Sequence, residues 1–97
     1  MPTYIALMKL TDQGIKNIKG APQRLEAALK AGEAAGVKVK GLYATMGEYD
    51  YVAVGEWPND DTVMTFNLAV ASAGNIRTTT LKAFTPEEFA AIVKKLP

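Results

Sequence analysis

The sequence predicts an α+β fold, a four-stranded sheet with helices on one face, and three observations predict it. Two short segments, Tyr4-Ile5-Ala6-Leu7-Met8 and Tyr51-Val52-Ala53-Val54-Gly55, are apolar at every position, as strands covered on both faces are. Two more polar segments, from Val37 to Ala44 and from Ile76 to Ala83, read as edge strands. Segments of helical spacing with capping residues separate them, in the order strand, helix, strand, strand, helix, strand.

Each element has a local reason. Lys9 and Leu10 complete the first strand, and Thr11 can cap a helix with Asp12 in its first turn. The segment from Ile15 to Lys19 is a short or irregular helix, because Gly14 and Gly20 weaken it and Pro22 favours the first turn of a new one. In that new helix Leu25, Ala28, Leu29, Gly32 and Ala35 recur at steps of three and four, and Gly36 stops it. Val37-Lys38-Val39-Lys40 alternates, then Leu42, Tyr43 and Ala44 lead into a hairpin that turns at Gly47. Asn59 caps a second long helix, with Asp60 and Asp61 at its positive end, apolar residues from Val63 to Val70, and a stop near Gly74. After the β-branched run Ile76-Arg77-Thr78-Thr79-Thr80-Leu81, the tetrapeptide Thr85-Pro86-Glu87-Glu88 is a capping box. It opens a short amphipathic helix from Glu87 to Lys95 that carries Phe89, Ile92 and Val93.

This order is the split βαβ, or ferredoxin-like, plan with an extra C-terminal helix, and the chain 1–97 reads as one domain. Right-handed crossovers place strands one and three inside, two and four outside. Two helices, however, cover one face of such a sheet. With Ile5, Leu7, Val52 and Val54 turned to the helices, Tyr4, Ala6, Met8, Val39, Tyr43, Tyr51 and Ala53 face away. A bulge would shift the parity of one strand and leave the first and third apolar on both sides. So large a bare patch predicts self-association, sheet on sheet, as a dimeric α/β barrel.

Composition excludes more chemistry than it supplies. Eleven basic and ten acidic residues give a net charge of +1, which provides no field for a nucleic acid or an anionic membrane. No cysteine and no histidine occur, which removes thiolate chemistry, histidine triads and histidine-ligated metals. Met1-Pro2-Thr3-Tyr4 shows no basic leader and no apolar run approaches the ~18 residues of a membrane span, so a soluble, cytoplasmic protein is expected.

The residues that carry the fold also carry a resemblance. Thr3-Tyr4-Ile5, Leu10-Thr11-Asp12-Gln13-Gly14, Thr45-Met46-Gly47-Glu48-Tyr49-Asp50-Tyr51 and Arg77-Thr78-Thr79-Thr80 resemble the GYD domain family over nearly the whole chain. The family's tripeptide is interrupted here by one acid, Gly47-Glu48-Tyr49-Asp50. The resemblance implies a small dimeric α/β-barrel fold and no particular activity. A weaker similarity links Gly47-x-Tyr49-Asp50-Tyr51-Val52 and Gly74-x-Ile76-x-Thr78-x-Thr80 to the effector-sensing domain of Lrp/AsnC-type regulators. It implies assembly through sheets and an effector pocket, without the helix-turn-helix unit, for which this chain has no room.

Candidate ligand-binding residues gather at the hairpin. Glu48, Tyr49 and Asp50 form an acid–phenol–acid cluster; alternatively Asp50 accepts backbone N–H bonds and fixes the turn while Tyr49 packs. Tyr43 and Tyr51 can line a pocket or an interface. Arg77 can grip a carboxylate bidentately, or pair with Asp50, Glu48 or a neighbouring subunit. Lys9, at the end of an inner strand, is either a desolvated base or a solvated lysine. Asp60 and Asp61 read as helix-start residues; with Glu56 they lack the spacing of a metal site.

The function expected is a homo-oligomeric binding module whose cavity at the sheet face or subunit interface, rimmed by Tyr43, Tyr49, Asp50, Tyr51 and Arg77, holds a small organic ligand, with no cofactor, metal, nucleic acid or membrane. The alternatives are a cofactor-independent isomerase or monooxygenase with a carboxylate base, and a structural assembly subunit.

Overall fold

A computed structural model describes residues 1–97 and gives one antiparallel sheet of four strands in the order β2-β3-β1-β4. Its elements are β1 (Thr3–Leu10), α1 (Asp12–Lys16), a 3₁₀ turn (Ile18–Gly20), α2 (Ala21–Ala34), β2 (Lys38–Ala44), β3 (Tyr51–Glu56), α3 (Asp60–Ser72), β4 (Ile76–Ala83) and α4 (Pro86–Val93). This is the ferredoxin-like order, with β1 and β3 inside and an added terminal helix.

The helix signals in the sequence act as expected. Thr11 accepts from the Gly14 N–H, Asn59 from the Thr62 N–H, and Thr85 and Glu88 close a reciprocal capping box. The two long helices run out just before Gly36 and Gly74, whose positive φ angles turn the chain back toward the sheet. The weakened segment after Gly14 divides into α1 and the 3₁₀ turn.

The parity of the sheet is the reverse of the one expected. Tyr4, Ala6 and Met8 lie over α2 and α3, in register with Gly55, Ala53 and Tyr51 of β3. Side chains alternate along a strand, so Ile5, Leu7, Val52 and Val54 belong to the uncovered face. Val39 shares the covered face with Gly55, while a bulge at Lys40 keeps Tyr43, paired with Val52, on the uncovered one. Of the residues assigned outward, Tyr43 alone keeps its place. The physical reason is the aromatic core: Tyr4, Trp57 and Val63 are buried together against Val37 and Phe66, and the Trp57 and Phe66 rings lie 5.2 Å apart. Buried aromatic rings each remove roughly 150–250 Å² from water, which outweighs the smaller aliphatic residues on the other parity.

What the helices leave bare remains apolar. The row Tyr43–Val52–Leu7–Thr79 crosses all four strands, and Ile5 lies between Val54 and Leu81 one step along. The fourth helix also stands apart, with no buried residue and with Phe89, Ile92 and Val93 exposed. The molecule is 52 Å long and its radius of gyration is 14.8 Å, against about 12.5 Å for a compact domain of this size.

Candidate functional site

The hairpin loop is tied down by its own backbone and by β1. The Thr45 N–H donates to the Asp50 carbonyl at 2.8 Å, and the Asp50 N–H to the Met8 carbonyl at 2.8 Å. Asp50 Oδ2 then accepts from the Leu10 N–H at 2.8 Å. The β1–β3 pairing ends at Met8 and Tyr51, so this carboxylate supplies an acceptor where β3 no longer can. Asp50 therefore acts as the turn-fixing acid. Asp50→Ala is expected to cost about 2 kcal/mol by leaving that donor unpaired, and Asp50→Asn less, since its amide oxygen can still accept; urea denaturation of both variants measures the difference.

The six residues singled out at the hairpin do not converge on one pocket. Tyr43 lies on the uncovered face and is 65% exposed, whereas Tyr51 is buried on the helix side. Glu48 is exposed in the loop, and Tyr49 and Asp50 are half-buried. Arg77 faces Lys9 across β1 and β4, both exposed, which sets two cations at the hairpin end of the bare face. Like charges directly opposite repel, and an anionic group bound there would relieve the repulsion. No ion pair joins Arg77 to Asp50 or Glu48.

A second feature lies between the sheet and the helices. It is an apolar cavity of about 110 Å³, and none of those six side chains lines it.

The family described as GYD domain matches residues 4–93, nearly the whole chain. This chain belongs to the GYD domain family. A protein of Thermus thermophilus, described as "Glutamine synthetase and cystathionine beta-lyase binding protein", is 37% identical over 95 residues, covering 97% of this chain and 100% of its own.

The GYD chain holds one polar cluster that sequence reasoning missed. Tyr4 of β1 donates its hydroxyl proton to Asp60 Oδ1 at the start of α3, and Lys82 Nζ of β4 approaches the same oxygen at 3.5 Å. Because the phenol's proton is held by Asp60, and because the ring is desolvated beside that negative charge, its pKa is pushed up to about 12. The Asp60 carboxyl is lowered, first by the Tyr4 hydrogen bond and then by Lys82. Asp60 was legible as a helix-start acid, but the parity assigned to β1 pointed Tyr4 the other way.

A phenol raised from 10.0 to about 12 by folding contributes stability that is complete below pH 10 and is lost as pH rises through 12. Tyr4→Phe is expected to remove that share of the alkaline loss, so the fall in denaturation midpoint between pH 9 and pH 12 should be shallower than in the parent. Parallel slopes would mean that the Tyr4–Asp60 bond adds nothing to stability.

No helix of the GYD chain is long and apolar enough to cross a membrane.

Proposed function

We propose that this GYD protein is a homo-oligomeric binding module, acting as one unit over residues 1–97. Its bare sheet face pairs with a second copy, and its hairpin end receives a small organic anion or an acidic group of a partner protein. The observation that carries the reading is the uncovered row Tyr43–Val52–Leu7–Thr79 with Ile5, Val54 and Leu81 beside it, together with an α4 that has no buried residue. Apolar surface so continuous is favourably removed from water. Arg77 and Lys9 at its margin supply charge, Tyr43 a ring and a hydroxyl, and Glu48, Tyr49 and Asp50 the adjoining rim, with Tyr51 anchoring the strand beneath.

The Thermus relative's name makes that protein a binder of two enzymes, and docking on another protein is the part of that description proposed for this chain. A cytoplasmic location accords with such partners.

The test is direct. Light scattering at micromolar concentration should give at least twice the 10.4 kDa of one chain. Immobilised protein should retain purified glutamine synthetase or cystathionine β-lyase, and Arg77→Ala should weaken that retention while leaving the mass unchanged. A mass of one chain with neither enzyme retained would end the proposal.

A further inference from the structure

Small side chains on both walls, Ala6, Ala53 and Gly55 on the strands and Ala28 and Gly32 on α2, leave between sheet and helices a cavity of about 110 Å³ that is partly open to solvent. Of the 21 residues that line it, 16 are hydrophobic, so the question is whether water or an apolar molecule suits it better. A buried water needs two to four polar partners. Part of the polar capacity is engaged elsewhere: the Tyr4 hydroxyl donates to Asp60, and Asn67 Nδ2 donates to Thr80 Oγ1 at 2.8 Å, which leaves the Trp57 Nε1–H, Asn67 Oδ1 and the Thr80 hydroxyl proton as scattered single groups. Thr78 adds a single hydroxyl to the wall.

Set singly among 16 hydrophobic lining residues, these groups hold water poorly. Apolar cavities of about 150 Å³ stay dry and accept benzene or xenon, and this one is of the same order. Charge is excluded as well. No ionisable group other than the Tyr4 phenol lines the walls, so a carboxylate or ammonium would be desolvated there without a counter-charge.

We propose that this cavity is a binding site for a small uncharged molecule, a single ring or branched hydrocarbon of about six heavy atoms, bearing at most one hydroxyl for Thr78. It is separate from the cation-bearing bare face, and its occupancy does not depend on assembly.

Trp57 is the one tryptophan of the chain and lines the cavity, so its fluorescence reports directly on occupancy. The probes are benzene, phenol and benzoate at millimolar concentration, read by Trp57 emission and by Tm. Benzene and phenol should each change the emission and raise Tm, and benzoate should do neither. Ala28→Leu and Ala6→Val place extra carbon in the cavity; both should fold with Tm unchanged or raised, and Ala28→Leu should lose the benzene response. No response to benzene or phenol, an equal response to benzoate, or a response that survives in both variants would overturn the site. So would a fall in Tm in both variants, which would mean that the space is already filled. None of these readings uses the mass of the assembly, so this proposal and the previous one fail separately.

Discussion

Gly14→Ala is expected to lower stability by about 3 kcal/mol, with a fall in Tm on the order of 15 °C. An added Cβ would overlap the Asn75 carbonyl oxygen and stand 3.0 Å from Leu10 Cδ2. That oxygen is not free to move, because it accepts from the Thr11 N–H at 3.0 Å, while the Thr11 hydroxyl donates to the Gly74 carbonyl at 2.6 Å. These bonds clasp the β1–α1 corner to the α3–β4 corner. Relieving the overlap must open them. Overpacking costs about 1–3 kcal/mol and a backbone donor left unpaired about 1–3 more, against roughly 1 kcal/mol gained in helix propensity. Urea denaturation gives the size of the loss, and amide exchange at Thr11 its location. A midpoint within error of the parent would show that the corner yields freely.

The same residue shows how far sequence reasoning reached. Gly14 was readable as a weak point in a helix, and the helix does break soon after it. Its close approach to Asn75, far along the chain, depends on a corner-to-corner contact that no local pattern encodes. Element order, strand order and all three side-chain caps were legible, because capping chemistry and hydrophobic period are local. Strand parity was not. In β1 and β3 both alternating sets are apolar, so the rule that decides which face is buried had no contrast to work on. Tyr4 was decided instead by a distant partner, Asp60, and by packing with Trp57 and Val63.

The candidate site divides along the same line. Asp50 as a turn-fixing acid was among the readings open from the letters, since a carboxylate beside a glycine turn commonly accepts backbone bonds. That Tyr51 would be parted from Tyr43 by the sheet followed from parity and was lost with it. Lys9 opposite Arg77 required the β1–β4 register, and the cavity required the alanines of β1, β3 and α2 to meet.

Leu7→Lys is expected to dissociate the proposed oligomer while leaving each chain folded. Leu7 sits at the centre of the bare row, between Val52 and Thr79 on the neighbouring strands. In a lone chain the lysine stem still covers its neighbours and the ammonium stays in water, so far-UV dichroism should not change. Between two stacked sheets it would have to be desolvated without a partner, once in each copy, with Lys9 and Arg77 adding repulsion. At about 3 kcal/mol per copy, the association constant should fall about 10⁴-fold. Area makes the interface sensitive to such a loss. Four strands at ~4.8 Å spacing and ~25 Å length present only about 500 Å² a side, short of the ~800 Å² per partner of a stable interface. The exposed side chains Phe89, Ile92 and Val93 of α4 are further apolar surface that could supply the remainder, so Phe89→Ser should weaken assembly too, by a smaller factor. Sedimentation velocity on the three proteins ranks them. A parent that already sediments as one chain, or a Leu7→Lys variant of undiminished mass, would place the association elsewhere or nowhere.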